Sequence, residues 1–216
     1  MNVQIEQFMS DKIVQVEPRH LPAVAVVHAR AFPDSALTRL GLEAVRRYYE
    51  WQLQGPHEHH FIAAFDKGDL LGFAVGGRAR GALAGFVGKN KWFLIARILL
   101  KPRLILSERG RKAIVTALEA LKRLRVQSKT PPPHKVETQS SFGILAIAVE
   151  PACQGKGIGL QLMERFERIA REHHFTRLHL TVSVNNTQAI RFYEKLGWTR
   201  GGSNAVWSGS MEKRLS

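Results

Sequence analysis

Three glycines at alternate positions, Gly155, Gly157 and Gly159, lie between an apolar run and an amphipathic run of the chain. A glycine-rich turn before a helix leaves backbone N–H groups free to point at one ligand, and the N-terminal end of the helix dipole adds partial positive charge there. Such a turn binds phosphate groups. The sequence therefore predicts a phosphate cradle at residues 155–159.

The segments on either side of the glycines are predicted to be a strand and a helix. Residues 144–149 are six consecutive apolar residues bounded by polar ones, too few for a helix, so they predict a fully buried strand. Residues 160–173 place Leu160, Met163 and Ala170 at helical spacing with charged residues between them, which predicts an amphipathic helix.

Two other phosphate-binding motifs do not fit this spacing. A P-loop requires Lys and then Ser or Thr after its last glycine, whereas Leu160 and Gln161 follow Gly159. A dinucleotide fingerprint has wider glycine spacing near the start of a βαβ unit, whereas these glycines are closely spaced and late in the chain. Both a nucleoside triphosphatase and a dinucleotide-binding domain are therefore disfavoured.

A second motif follows the first. Residues 178–184 alternate in character and are rich in β-branched side chains, which predicts a strand. Asn186 is a suitable N-cap for the next helix and Gly197 a suitable C-terminal stop.

The two motifs together resemble the cofactor signatures of the GNAT superfamily of acetyl-CoA-dependent N-acetyltransferases. The first signature is Gln154-x-x-Gly157-x-Gly159; the second consists of Asn186, Ala189, Tyr193, Gly197 and Trp198. They span about the C-terminal third of the chain. The resemblance implies an α/β (α+β) GNAT fold, with a mixed central sheet of about six or seven strands flanked by helices.

The resemblance also implies the roles of individual residues toward acetyl-CoA. Backbone groups of residues 147–149 would pair with the pantetheine arm and polarise the thioester carbonyl. Asn186 would contact the same arm, and Tyr193 would be the general acid for the departing thiolate. The predicted cofactor-binding residues are Ile147, Ala148, Val149, Gln154, Gly155, Lys156, Gly157, Ile158, Gly159, Asn186 and Tyr193.

The general base is less well marked. Glu150, at the end of the predicted buried strand, is the first candidate, and His134 and Glu137 are others. Thr181 occupies the position of the catalytic glutamate of ribosomal-protein Nα-acetyltransferases, and Gly143 lies near the position of the histone-type base. Both departures from the family pattern weigh against those protein substrates.

Residues 31–41, with Tyr48 and Tyr49, show a weaker resemblance to GNAT members linked to bacterial polysaccharide biosynthesis. In the superfamily this region lines the acceptor site, which implies substrate-binding roles for Phe32, Asp34, Ser35 and Thr38. The expected reaction is acetyl transfer by direct attack of a primary amine, the acceptor being an amino sugar or another small amine. The alternatives are a non-catalytic CoA-binding or regulatory module, or a protein Nα-acetyltransferase.

The whole chain fits one large domain. Its 216 residues are 44% hydrophobic, and we expect a flexible N-terminus at 1–11 followed by a single domain at 12–216 with an insertion at 77–140. The single cysteine, Cys153, has no partner for an internal disulfide and is interpreted as a small loop residue. No signal peptide and no apolar run of about 20 residues is evident, so we expect a cytoplasmic protein, with peripheral membrane attachment as an alternative.

Patterning outside the motifs predicts the remaining elements. Helices are expected near residues 23–32 and 41–53. The other expected strands are at residues 12–16, 61–65, 70–76, 199–200 and 205–211, with 61–65 and 70–76 forming a hairpin.

Positive charge is concentrated in the insertion. The net charge is +14, and residues 78–135 hold 15 of the 32 Lys and Arg side chains around an apolar stretch at 92–100. One interpretation is a helix that caps the core or forms a homodimer seam. The other is a surface that meets an anionic membrane or a phosphorylated or lipid-linked substrate. A nucleic-acid partner is disfavoured because few aromatic residues interleave with the charges.

Histidines cluster at His57, His59 and His60. A zinc site requires further ligands in a defined geometry, and the sequence shows none nearby. We therefore predict no metal site from the sequence.

Overall fold

The computed structural model describes residues 13–78, 82–100, 141–201 and 207–215. Seven strands form one sheet in the order β1-β2-β3-β4-β5-β7-β6, and β4 and β5 are its parallel pair. The strands are β1 Ile13–Gln15, β2 Glu58–Asp66, β3 Asp69–Arg78, β4 Ser141–Val149, β5 Arg177–Thr181, β6 Thr199–Arg200 and β7 Ser210–Arg214. The expected mixed sheet is confirmed.

Helices cover both faces of this sheet. They are α1 Leu21–Ala31, α2 Ala36–Leu40, α3 Leu42–Gln54, α4 Ala82–Leu99, α5 Ile158–Glu172 and α6 Thr187–Lys195, with 3-10 turns at Pro18–His20 and Pro151–Cys153. The alternation of side chains along a strand divides the core into two layers. Phe73 packs on the α1 and α3 side, and its neighbour Ala74 packs on the α5 side.

Strand β4 corrects one expectation from the sequence. It begins at Ser141 rather than Ile144, and it is not fully buried, because Leu145 is 39% exposed and Ile147 and Val149 are half-buried. The reason is a non-local one. Strand β5 pairs with only the first part of β4, so the rest of β4 borders open space.

Most other elements lie within a few residues of their expected positions. The short helix α2 was not predicted, and Ser35 caps it by accepting a hydrogen bond from the Thr38 N–H at 3.1 Å. The closing strand β7 begins at Ser210, later than the expected start at 205, and residues 205 and 206 lie outside the described part. Gly197 ends α6 with a positive φ of 80°, as expected of a C-terminal stop.

The insertion between β3 and β4 is described only in part. Helix α4 has a kink at Asn90 and exposes Trp92, Ile95 and Leu99 to solvent. Residues 101–140, with the base candidates His134 and Glu137, lie outside the described residues. Within the described ranges, no helix combines the length and the apolar character required to cross a bilayer.

Candidate active site

The central feature of the site is a gap between the two parallel strands. Pairing of β4 with β5 runs from Ser141–Arg177 to Ile144–Leu180 and stops there. Strand β4 continues for five further residues with its other edge still paired to β3. The sheet therefore opens in its middle, beside residues 145–149.

Backbone groups of β4 face this gap. The Glu150 N–H donates to the Leu71 carbonyl of β3 at 2.8 Å, and successive residues of a strand direct their N–H and C=O groups to opposite edges. The backbone groups of Ile147 and Val149 therefore point away from β3, into the gap. The Val149 carbonyl accepts a long hydrogen bond of 3.4 Å from the Gln154 side chain.

The glycine loop lies at the mouth of the same gap. Gly155 and Gly157 have φ values of 78° and 83°, which side chains with a Cβ rarely adopt, and Gly157 is the N-cap of α5. A Cβ built at either position would meet no atom within 4 Å, so the space above the loop is open. The first intrahelical bond of α5 runs from the Gln161 N–H to the Gly157 carbonyl. The N–H groups of Ile158, Gly159 and Leu160 precede it and point outward at the positive end of the helix dipole.

A cavity of about 530 Å³ joins the gap and the loop. Ten of the eleven predicted cofactor-binding residues line it, and the exposed side chain of Lys156 does not. Residues outside the predicted site also line it, and of these only Ala189 belongs to the second signature: Ala31, Cys153, Leu160, Gln188, Ala189 and Phe192. Asn186, Ala189 and Phe192 follow one another at three-residue spacing. They therefore lie on one face of α6, and this spacing could have indicated that Phe192 faces the cavity.

Helix α6 supplies the polar groups of the cavity wall. The Asn186 side chain accepts a hydrogen bond from the Ala189 N–H at 3.0 Å and so caps the helix, as predicted. Tyr193 is 7% exposed and packs against Phe192 and Trp198, with ring centroids 5.3 and 5.8 Å away. Burial raises the pKa of the Tyr193 phenol to about 12, so the hydroxyl stays protonated and can donate a hydrogen bond.

Glu150 lies at the end of β4 but does not line the cavity. Its side chain is 17% exposed, and its carboxylate pairs with the Arg30 guanidinium of α1 at 3.3 Å. Arg30 precedes Ala31 and Phe32, which do line the cavity, so the ion pair lies next to its α1 side.

The predicted acceptor residues are not all brought to the cavity. Phe32 lines it, whereas Asp34, with 90% of its side chain exposed, pairs with Arg39. The Ser35 hydroxyl donates to the Thr38 hydroxyl, and the Thr38 hydroxyl donates to the Phe32 carbonyl, both at 2.8 Å. Ser35 and Thr38 therefore support the backbone of Phe32 and do not line the cavity themselves.

Behind Phe32 lies a buried series of hydrogen-bonded polar side chains that the sequence did not indicate. The His28 ring nitrogens lie 2.8 Å from the Tyr49 hydroxyl and 3.1 Å from the Ser35 hydroxyl. Burial lowers the pKa of His28 to about 4, so the imidazole is neutral at pH 7. These hydrogen-bonded side chains connect α1, α2 and α3 directly behind the cavity wall.

The chain is similar to known acetyltransferases in sequence and in fold. Residues 126–198 match the model of the acetyltransferase (GNAT) family. The ribosomal-protein-S18-alanine N-acetyltransferase of Escherichia coli is 17% identical, with a TM-score of 0.54 over 94% of this chain and 93% of that one. The PaiA N-acetyltransferase of Thermoplasma acidophilum, in complex with coenzyme A, is 13% identical, with a TM-score of 0.56 over 94% and 97%. The yncA protein of Salmonella typhimurium, with its cofactor acetyl-CoA, is 16% identical, with a TM-score of 0.51 over 94% and 93%.

Proposed function

We propose, from the match of residues 126–198 to the acetyltransferase (GNAT) family and from the similarity in fold to N-acetyltransferases, that this protein is a GNAT-type acetyltransferase that catalyses the following reaction. The protein transfers an acetyl group from acetyl-CoA to the primary amine of a small molecule, with an amino sugar as the preferred acceptor class. The observation that carries this proposal is the open edge of β4 beside the glycine loop.

The first contribution of the chain is to hold acetyl-CoA. The N–H groups of residues 155–160 suit a pyrophosphate, because glycine leaves space above the loop and the helix dipole favours negative charge. Lys156 is exposed beside this loop and adds a positive charge. The backbone groups of Ile147 and Val149 suit the amide-containing arm, which would pair with β4 as a further strand would.

The second contribution is to polarise the reacting carbonyl. Acetyl-CoA supplies the thioester that an amine can attack. A backbone N–H aimed at the thioester oxygen stabilises the negative charge that develops on it, and the free N–H groups at the end of β4 are the donors we assign to this role.

Tyr193 acts on the departing sulfur. Its pKa of about 12 lies well above the usual value of a thiol, about 8.5, so complete proton transfer from the phenol to the thiolate is uphill. We therefore assign Tyr193 a hydrogen bond that stabilises the thiolate as the carbon–sulfur bond breaks. The amine proton passes to Glu150, as described next, and the CoA thiolate takes its proton from solvent water after it leaves the site.

Glu150 is our proposed base. An attacking amine must lose a proton, and Glu150 is a carboxylate next to the cavity, on the side where Ala31 and Phe32 lie. Because its carboxylate does not line the cavity, we propose that one water molecule carries the proton between the amine and Glu150.

A small acceptor fits the residues better than a protein N-terminus does. The position of the glutamate in ribosomal-protein Nα-acetyltransferases is Thr181, an exposed residue paired with Ser210 across β5 and β7. A hydroxyl cannot replace a carboxylate as a base near neutral pH. We also propose that the basic segment 78–135 of the insertion meets an anionic membrane surface, since Trp92 is 73% exposed and follows Lys89 and Lys91 in the sequence.

Calorimetric titration with acetyl-CoA tests the cofactor site. The wild type is expected to bind at micromolar concentration, and Gly157→Glu is expected to abolish binding, because a carboxylate in the loop repels pyrophosphate. Gly68→Glu is the matched control, since Gly68 lies in the β2–β3 turn with a φ of 93° and also has no atom within 4 Å of a built Cβ. Absence of binding by the folded wild type would refute the transferase proposal. With binding established, release of free CoA thiol in the presence of amino sugars, polyamines and peptides identifies the acceptor class.

A further inference from the structure

Three metal-ligating side chains meet at the end of the sheet that lies away from the cavity. Glu58, His60 and His173 each offer one ligand atom, and these atoms all lie within 4.8 Å of one another. The His60 and His173 rings approach edge to face, with centroids 4.6 Å apart.

The fold brings together ligands that are distant in sequence. Glu58 and His60 are two residues apart on β2, so their side chains lie on the same face of the strand. His173 is the C-cap of α5, the helix that packs on that face. The sequence offered only the histidines at 57–60, whereas the third ligand comes from more than 100 residues further along the chain.

The neighbouring histidines are directed elsewhere. The His59 Nδ1 donates to the His57 carbonyl at 3.1 Å, and the His57 Nε2 lies 3.1 Å from the Gln52 side-chain oxygen. His59 follows the alternation of the strand to the opposite face from His60. These two histidines bond to the end of α3 and to the loop before β2, and they are not part of the group.

His60 carries an unmet polar requirement. Its Nε2 is buried and has no hydrogen-bond partner in the part of the chain that the structure describes. A buried nitrogen without a partner is costly, and a metal ion would satisfy it.

The electrostatic surroundings also favour a cation. The C-terminal end of α5 carries the negative end of its helix dipole, and His173 lies at that end. Glu58 additionally pairs with Arg78 at 3.4 Å, and its carboxylate has two oxygens to serve both partners.

We propose that Glu58, His60 and His173 bind one divalent first-row metal ion, with Zn²⁺ as the best match. Two imidazoles and one carboxylate form a donor set that zinc takes in proteins, with water at the fourth position. Ligand distances of about 2.0–2.1 Å place tetrahedral ligand atoms about 3.3 Å apart, so the three groups must draw together. Glu58 and His173 are exposed, so their side chains have room to rotate inward.

The role of this ion is structural. Val149, at the cavity, is opposite Gly72, and Gly72 is opposite Ala64 of β2. Six residues separate Ala64 from Glu58, which is about 20 Å along a strand. At that distance the ion takes no part in acetyl transfer. It ties the start of β2 to the end of α5, the helix whose other end forms the glycine loop.

Titration of the tag-free, chelator-treated protein with Co²⁺ and Zn²⁺ tests the proposal. Co²⁺ is expected to bind at one equivalent with the visible absorption of a four-coordinate site, Zn²⁺ to displace it, and Zn²⁺ to raise the melting temperature. His173→Ala and Glu58→Gln change exposed side chains and are expected to weaken Zn²⁺ binding by at least about tenfold.

Two neighbouring substitutions are the matched controls. His174→Asn changes the next residue, whose φ of 59° asparagine tolerates, and His59→Gln changes the adjacent histidine on the opposite strand face. Both are expected to keep Zn²⁺ affinity within about twofold of the wild type. The proposal fails if the wild type shows no saturable binding, if His173→Ala binds as the wild type does, or if His174→Asn loses as much affinity as His173→Ala.

Discussion

The Arg30 guanidinium lies 3.3 Å from the Glu150 carboxylate and so joins the end of α1 to the end of β4 beside the cavity. The pair holds a carboxylate next to the side of the cavity that Ala31 and Phe32 line. Glu150→Gln keeps the size of the side chain and removes the base. We expect kcat to fall by about 10² to 10⁴, with the affinity for acetyl-CoA unchanged, in steady-state assays of CoA release.

Arg30→Gln is the control for this prediction, because it breaks the same ion pair and keeps the carboxylate. It should cost much less activity than Glu150→Gln. Equal losses in the two variants would mean that the ion pair matters only as a structural link. A loss below about fivefold in Glu150→Gln would remove Glu150 from the reaction.

Tyr193→Phe separates the hydroxyl from the packing of the ring. The phenyl group keeps its contacts with Phe192 and Trp198, so the melting temperature and the affinity for acetyl-CoA should change little. We expect kcat to fall about 10²-fold, because the thiolate loses its hydrogen-bond donor. Stopped-flow or steady-state measurement of thiol release gives the rate, and an unchanged kcat would assign Tyr193 to the cavity wall alone.

His28 is expected to make the stability of the fold depend on pH. Its pKa is about 4 in the folded protein and about 6.5 when exposed, so between these values the unfolded state binds more protons. The stabilisation is therefore complete above pH 6.5 and is lost as the pH falls toward 4. Between pH 7 and pH 5 the free energy of unfolding should fall by about 2 kcal/mol from this group.

Urea unfolding of His28→Gln at both pH values isolates this contribution. Glutamine can still bond Tyr49 and Ser35 but does not titrate, so the variant should lose about 2 kcal/mol less than the wild type over that range. If the free energy of unfolding changes equally with pH in the two proteins, the His28 ring is not buried in its neutral form.

The membrane proposal predicts salt-dependent binding to anionic vesicles. At low salt the protein should sediment with vesicles that contain phosphatidylserine, and binding should weaken as salt is raised, because each Lys or Arg near the surface contributes about 1 kcal/mol. Trp92→Ser should reduce binding without unfolding the protein, since Trp92 is 73% exposed. Neutral vesicles are the control, and no binding to anionic vesicles at low salt would end the proposal.

The sequence was sufficient where the signal is local. The glycine turn, the Asn186 cap and the Gly197 stop each depend on the conformation of a few neighbouring residues, and each lies where the pattern placed it. The mixed character of the sheet and its approximate number of strands followed from the family resemblance that these motifs carry.

What the sequence did not predict depends on distant parts of the chain. Leu145 lies in an apolar run, yet it is exposed because β5 departs from β4 at that point. Helix α2 is only five residues long, too short for a periodic signal, and its capping residue Ser35 also bonds His28 from another helix. The approach of His173 to His60 depends on how α5 packs across the sheet, which no local pattern records.

Because β4 and β5 pair over only four residues, the sheet consists of two parts joined by a short parallel ladder. Among the described strands, the four residue pairs from Ser141–Arg177 to Ile144–Leu180 join a four-stranded part, β1 to β4, to a three-stranded part, β5 to β7. The cavity in the gap is lined by Ile147 of the four-stranded part and by Asn186, the N-cap of the helix that follows the first strand of the three-stranded part. Under the proposed function, bound acetyl-CoA bridges the two parts of the sheet, and its release at each turnover removes that bridge.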